Sequence, residues 1–130
     1  MNNTTYIDIS SIFFNPSIKA FFSLKNFSEF GKEKTKYFAK KVGFNNSKLL
    51  VPNQVHSSNV KICLSPGEIP NCDGTFTNQR NIVCSIQVAD CLPVYFAHRS
   101  ELFFGLIHAG WRGLVNDIIL ASGLLLKKCN

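Results

Sequence analysis

Alternating apolar and polar positions predict that much of this chain is extended. The alternation is clearest at residues 60–64 and 82–88, where one face of each segment is apolar and the other is polar. Further strands are predicted at residues 49–51, 94–97 and 102–107. The last of these is apolar on both faces, which is typical of a covered strand inside a sheet. Pro93 lacks a backbone donor, so we expect it to begin its strand or to lie in an edge strand.

Two other segments have the pattern of helices. Over residues 28–42 apolar side chains recur at near-helical spacing, while lysines take the opposite face. Ser28 is suited to cap the start of this helix and Gly43 to end it. A second helix is predicted over about residues 114–127.

The connections and the length complete the prediction of the fold. Proline, glycine, asparagine and aspartate indicate a loop at residues 65–74, and the polar residues 98–101 fit a hairpin turn. A chain of 130 residues is near the usual size of one domain. We therefore expect residues 1–130 to form a single domain of the α+β class, a mixed β-sheet with flanking helices.

Charge and hydropathy narrow the classes of partner. Lys+Arg total 14 and Asp+Glu total 8, which gives a formal net charge of +6, and lysines crowd residues 25–48. Glutamates are interspersed there and arginine is scarce. We therefore interpret these lysines as the solvent-exposed face of a helix and expect no nucleic-acid partner. The apolar runs fall far short of the ~20 residues that cross a bilayer. We expect no membrane partner, no secretory signal and a cytoplasmic location.

Three side chains suited to metal binding or catalysis stand at the ends of predicted strands: His56, Cys91 and His108. They are 35 and 17 residues apart, too far for a local zinc finger, so a shared site has to be assembled by the sheet. Two imidazoles and one thiolate would leave one position of a tetrahedral zinc open. By spacing alone, a hydrogen-bonded polar histidine and a free cysteine are the alternatives. The odd total of five cysteines argues against a disulfide framework.

Four short strings carry a resemblance to a known family. They are Asn53-Gln54-Val55-His56, Cys72-Asp73-Gly74, Ala89-Asp90-Cys91-Leu92-Pro93 and His108-Ala109-Gly110-Trp111-Arg112-Gly113. In this order they resemble the multicopper polyphenol oxidoreductase (laccase-like) family, whose members are now regarded as zinc-dependent purine nucleoside phosphorylases. The six-residue string from His108 is the most specific of the four. The resemblance covers roughly residue 49 to the end of the chain.

The resemblance implies a function and a set of site residues. By position in each motif, it implies that His56, Cys91 and His108 are zinc ligands, and that Arg112 is a catalytic arginine suited to hold phosphate. It implies phosphorolysis of adenosine, inosine, guanosine or methylthioadenosine, with adenosine deamination at the same zinc. It also implies a layered α/β/β/α arrangement. Copper is less favoured, because a laccase cluster needs many histidines and the chain has three.

For several neighbouring residues, both a role at the site and a purely structural role are considered. Asp90 could orient a ligand or cap a turn, and Asp73 could line the site or serve a turn. His98 matches no motif and is expected at the surface. We expect Trp111 to pack against the protein rather than to stack on a purine.

The chain also departs from the family pattern. Lys25 stands where an arginine is expected, and Cys72 replaces a usual alanine. A later Gly-Pro segment and Arg-Arg motif are absent, so the chain is expected to correspond to an incomplete, N-terminal half with poor turnover. The apolar residues of the C-terminal helix cannot all face one core, and we expect self-association or a homodimer through it.

Two rival functions use the same residues. Cys91 could be the nucleophile and His108 the base of a metal-free thiol hydrolase. Alternatively, the chain could be a non-catalytic remnant that keeps part of the fold.

Overall fold

The computed structural model describes residues 4–25, 27 and 33–128, which contain three α-helices, two short 3-10 helices (Ser10–Ile12 and Asn46–Lys48) and nine strands. The strands are β1 (Tyr6–Asp8), β2 (Phe21–Ser23), β3 (Leu49–Pro52), β4 (Val60–Ile62), β5 (Gly67–Ile69), β6 (Gly74–Thr77), β7 (Val83–Cys84), β8 (Leu92–Ala97) and β9 (Phe104–Ala109). The helices are α1 (Lys34–Lys41), α2 (Trp111–Val115) and α3 (Ile118–Lys128). The α+β class predicted from the sequence is confirmed, whereas the α/β/β/α layering stays a prediction.

The largest sheet has four strands in the order β4-β6-β9-β8. The β4 and β6 strands are parallel, and β9 is antiparallel to both of its neighbours, so the sheet is mixed. The strand predicted at residues 102–107 is confirmed as the inner strand β9, which begins and ends two residues later. Pro93 lies in β8, at the edge of the sheet, where its missing donor leaves no broken ladder bond on the outer side.

One face of this sheet carries the main hydrophobic core. Phe76, Ile107, Ala109 and Ile118 are buried together, so α3 packs on the sheet through its first residue. Leu125 and Leu126 also pack against this cluster, whereas Leu120 and Leu124 remain 59% and 54% exposed. As expected, the apolar side chains of α3 do not share one core.

A second, parallel sheet runs in the order β5-β3-β7, and β1 pairs with β2 in an antiparallel sheet of two strands. The predicted loop at residues 65–74 is therefore wrong in part, because residues 67–69 pair with β3 as strand β5. Pairing between distant segments creates this strand, and the local composition does not reveal it.

The predicted strand at residues 82–88 is also shorter than expected, because only Val83–Cys84 pair as β7. Beyond Cys84, side-chain hydrogen bonds hold the segment in place of strand pairing. The Ser85 hydroxyl donates to the carbonyl of Leu50 at 2.7 Å. The Gln54 amide both donates to the Gln87 carbonyl and accepts from the Gln87 N–H, each at 2.7 Å. These bonds hold the segment that leads to Cys91.

The helices also differ from their predictions at defined points. The predicted C-terminal helix is two helices, because Asp117 adopts a left-handed φ of 60° that an α-helix cannot continue through. Helix α1 ends before Gly43, which has a φ of 93° as the cap prediction requires. The predicted Ser28 cap lies outside the described residues. In the described part of the chain, no helix has the length and apolar character to cross a membrane.

Candidate metal site

The sheets bring His56, Cys91 and His108 together from three separate segments. His56 follows β3, Cys91 directly precedes β8, and His108 lies within β9. Because Leu92 pairs with Ala109, the antiparallel ladder places Cys91 beside the end of β9. One nitrogen of each imidazole and the thiol sulfur all lie within 4.8 Å of one another. The predicted assembly of these three side chains by the sheet is therefore present in the structure.

The three side chains differ in burial. His108 is only 3% exposed, Cys91 is half-buried, and His56 is exposed. The two imidazole rings meet edge to face, with centroids 4.9 Å apart and an interplanar angle of 76°. The group therefore has one side fixed inside the protein and one side reached from solvent.

A fully buried carboxylate, that of Asp73, joins two of these segments. Its Oδ2 lies 2.8 Å from Nδ1 of His108. The backbone N–H groups of Val55, His56 and Ser57 donate to its two oxygens at 3.2, 3.0 and 2.8 Å. The Ser57 hydroxyl donates as well, at 2.7 Å. The sequence allows Asp73 either to line the site or to serve a turn, and the structure places it against the site.

These bonds also account for the backbone at His56. Its φ of 60° is left-handed, a conformation that costs a non-glycine residue roughly 1–2 kcal/mol. The turn points three successive N–H groups at one carboxylate, and the charge-assisted bonds offset that cost.

The pKa of Asp73 reflects two opposing effects. Burial alone would raise the pKa of this carboxyl, but the hydrogen bonds from His108, Ser57 and Val55 outweigh it and hold the pKa below its ordinary value. The carboxylate is thus a stable anion inside the protein.

Gly110 closes one side of the site. A Cβ atom built at this position would lie 3.0 Å from Cδ2 of His56 and 3.1 Å from Sγ of Cys91. Both distances are tighter than ordinary van der Waals contact. Only a glycine lets the backbone pass this close to two of the three side chains without moving them.

The donor set fits a zinc ion. Because Nδ1 of His108 is engaged by Asp73, Nε2 is the nitrogen left for a metal. Two imidazole nitrogens and one thiolate sulfur suit zinc, and three protein ligands leave a fourth position open as in catalytic sites. Among the described residues, no further His, Cys, Asp or Glu joins this group.

The other described thiols are poor ligands in their present surroundings. Burial raises the pKa of Cys63 and Cys72, and it raises the pKa of Cys84 to about 12. The Cys72 thiol donates to the Gly74 carbonyl at 2.9 Å. Cys91 is the described cysteine that lies together with His56 and His108.

An open cavity of about 1610 Å³ includes the three candidate ligands in its lining. Its cationic side chains come from Lys19, Lys34 and Arg80, none of which the sequence singled out. Arg112, the predicted phosphate-binding residue, lies outside the described lining, exposed on α2. Its guanidinium carbon lies 5.2 Å from the ring centroid of Trp111.

Four other residues named from the sequence lie at the surface. Trp111 is 69% exposed, so the packing prediction is wrong: it begins α2 on the outer side, and Gly113 is the residue that α2 buries. Asp90 is exposed but belongs to the cavity lining beside Cys91, and it makes no hydrogen bond to another described residue. His98 is exposed as expected, and its Nδ1 accepts from the backbone of Ser100 and Glu101 in the hairpin turn. Lys25 is exposed and does not belong to the described cavity lining.

Comparison with known proteins identifies the family. The family described as multi-copper polyphenol oxidoreductase laccase matches residues 22–127. The chain belongs to this family. The resemblance stated from the four strings is thereby confirmed.

Individual relatives carry a more specific name. A purine nucleoside phosphorylase of Rickettsia prowazekii is 39% identical over 80 residues, which cover 58% of this chain and 32% of the relative. Purine nucleoside phosphorylase YfiH of Escherichia coli is 37% identical over 67 residues, which cover 51% of this chain and 28% of the relative. The chain therefore matches only about a third of the length of such relatives.

A solved structure shares the fold. The crystal structure of YlmD from Geobacillus stearothermophilus superposes with a TM-score of 0.61 at 27% identity, covering 65% of this chain and 35% of that one. Partial coverage of the longer protein agrees with the expectation of a half-length match.

The close approach at Gly110 leads to a prediction. Gly110→Ala should weaken zinc binding by roughly tenfold or more, about 1.4 kcal/mol, because the added methyl group displaces His56 or Cys91. Gly123→Ala in α3 is the matched control, since a Cβ there meets nothing within 4 Å. Competition against a chromophoric zinc chelator measures both variants. Equal affinity of Gly110→Ala and the wild type would show that this contact does not shape the site.

Proposed function

We propose that this chain carries the zinc-binding part of a purine nucleoside phosphorylase. The observation that carries the proposal is the convergence of His56, Cys91 and His108 within 4.8 Å. It is supported by relatives named as purine nucleoside phosphorylases, each matched over part of its length. The described elements would then form one domain that corresponds to about a third of those longer proteins.

The donor set favours zinc over the copper in the family's description. A laccase-type cluster requires many imidazoles, whereas this chain has three histidines. One of them, His98, is bound into the hairpin turn between β8 and β9. The remaining pair with one thiolate suits a single zinc ion with an open position.

The proposed reaction joins phosphate to a purine nucleoside. A phosphate oxygen forms a bond to C1′ of the sugar as the bond from C1′ to the purine breaks. The purine leaves with the electron pair and takes a proton, which yields a free base and a sugar 1-phosphate. Adenosine, inosine, guanosine and methylthioadenosine are the proposed nucleosides. When bound, zinc would supply Lewis-acid polarisation and a water of lowered pKa. That water would be the nucleophile for adenosine deamination at C6, whereas phosphate is the nucleophile in phosphorolysis.

Arg112 is the proposed phosphate-binding residue. In the described part of the chain its guanidinium makes no ion pair with a carboxylate, so its planar fork of donors is available to an anion. It lies two residues after Gly110, where an added Cβ atom would meet His56 and Cys91. Lys19, Lys34 and Arg80 add positive charge to the cavity lining, which also contains the carboxylates of Glu68 and Asp90.

A metal-free thiol hydrolase is the second candidate. The specific observation in its favour is that Asp73 orients His108, which in turn lies close to Cys91. An acid, a histidine and a nucleophile in this relation are also the parts of a hydrolase triad.

Metal content separates the two candidates. We expect about one zinc per chain, lost in His56→Ala and in Cys91→Ala but kept in the control His98→Ala, as measured by elemental analysis of purified protein. Iodoacetamide should modify the Cys91 peptide only after a chelator removes the zinc. A folded, metal-free wild type whose Cys91 is alkylated regardless of chelator would instead support the hydrolase.

Phosphate dependence is the second expected property. The zinc-loaded chain should release adenine from adenosine slowly and only with phosphate. Arg112→Ala should raise KM for phosphate tenfold or more, since a hydrogen bond to a charged group contributes about 1.5–3 kcal/mol. Arg99→Ala, at an exposed arginine of the hairpin turn, is the control. Chromatography separates adenine from inosine. Base release without phosphate, or no turnover at all, would contradict the proposal for this chain.

The exposed apolar residues of the C-terminal helices support a homodimer. Trp111, Val115, Leu120 and Leu124 are each more than half exposed. A second copy would cover such exposed apolar side chains. Light scattering after size-exclusion chromatography should give a dimer for the wild type and a monomer for the double variant Leu120→Glu, Leu124→Glu. Lys127→Glu in the same helix should leave the dimer intact. A monomeric wild type would refute this.

A further inference from the structure

We infer that Asp73 is a positioning residue, which presents His56 and fixes the His108 tautomer that leaves Nε2 unprotonated for a metal. The inference rests on the proposed metal-binding function, but its main readout is made on metal-free protein. It assigns to one carboxylate the alignment of two of the three candidate ligands.

The tautomer of His108 follows from which groups surround Asp73. Four hydrogen-bond donors other than His108 point at the two carboxylate oxygens: three backbone N–H groups and the Ser57 hydroxyl. The Ser57 oxygen itself accepts from the N–H of Asn59, so its proton is directed to Asp73. Asp73 therefore acts only as an acceptor. The remaining close atom, Nδ1 of His108 at 2.8 Å, has to carry the proton of that bond.

The conformation of the backbone at His56 depends on the same two carboxylate oxygens of Asp73. The N–H groups of residues 55–57 face one carboxylate only because the chain turns through the left-handed conformation at His56. This turn brings the His56 ring edge to face with the His108 ring. If the carboxylate no longer accepts these bonds, the turn loses the interaction that compensates its backbone cost.

The main chain makes Asp73 a fixed anchor for both segments. Its N–H donates to the Asn59 carbonyl at 2.9 Å, and its carbonyl accepts from the N–H of His108 at 2.7 Å. It directly precedes β6, which is paired on one side with β4 and on the other with β9. The side chain thus projects from a point that both strands hold.

Cys91 is positioned by other means. It lies next to β8, whose pairing with β9 starts at Leu92, and it is close to Gly110. No described hydrogen bond joins it to Asp73. Loss of the carboxylate should therefore disturb the imidazoles and leave the thiol in place.

Asparagine is the sharpest replacement because it keeps the size of the side chain. Its single oxygen can still accept from Ser57, but its NH₂ group would then face the N–H of His56 and Nδ1 of His108. Two N–H donors cannot bond to each other, so His108 would move its proton to Nε2 and accept at Nδ1. The nitrogen needed for a metal would then be protonated.

The test compares the wild type, Asp73→Asn and the control Asp90→Asn, which removes an equal charge beside Cys91 from an exposed carboxylate. Long-range ¹H–¹⁵N correlation spectra of metal-free protein at mildly alkaline pH report each histidine tautomer, with His56→Ala and His98→Ala for assignment. We expect Nδ1–H for His108 in the wild type and Asp90→Asn, and Nε2–H in Asp73→Asn. Chelator competition should show zinc affinity reduced roughly 10–100-fold in Asp73→Asn alone.

The outcomes separate this inference from the proposed function. An Nε2–H tautomer for His108 in the metal-free wild type overturns the inference without any variant, even if Asp73→Asn fails to fold. Equal zinc affinity of Asp73→Asn and the wild type overturns it as well. A wild type that shows the Nδ1–H tautomer but binds no zinc would refute the metal function and leave the tautomer assignment standing.

Discussion

The buried carboxylate of Asp73 is the interaction on which the geometry of this site depends. An anion removed from water is costly unless its oxygens receive hydrogen bonds. Here five donors supply them, four from the turn after β3 and one from a ring on β9. The need to satisfy one charge therefore fixes a turn and a strand relative to each other, although they are about fifty residues apart in the chain. The same bonds leave both candidate imidazoles beside Cys91.

The rest of the fold makes that arrangement rigid. Strand β6 enters the four-stranded sheet directly after Asp73, and its Phe76 and the Ile107 of β9 are fully buried in the core below. The pairing of β8 with β9 sets the place of Cys91, and the Gln54 amide holds the segment before it by bonding both backbone groups of Gln87. The exposed side of His56 and the open cavity leave the other side accessible to solvent. Water that enters there weakens charge interactions.

Local patterns in the sequence were sufficient for the features that depend on neighbouring residues. The alternation at 60–64 and the doubly apolar run at 102–107 correspond to strands β4 and β9, and Gly43 ends α1 as expected. Strand β5 and the break at Asp117 were missed, because one depends on pairing with β3 and the other on a left-handed residue that is not glycine. The three candidate ligands were found as chemical types at strand ends. Asp73 remained ambiguous, because an Asp-Gly pair reads equally well as a turn, and only the tertiary structure shows five donors converging on it.

X-ray absorption at the zinc edge of the zinc-loaded protein tests most directly whether His56, Cys91 and His108 bind the metal. We expect a zinc ion with one sulfur ligand at about 2.3 Å, two imidazole nitrogens at about 2.0–2.1 Å and a light atom in the fourth position. The sulfur contribution should vanish in Cys91→Ala. A spectrum with two or more sulfur ligands, or with none, would contradict the claim that His56, Cys91 and His108 form the metal site of this chain.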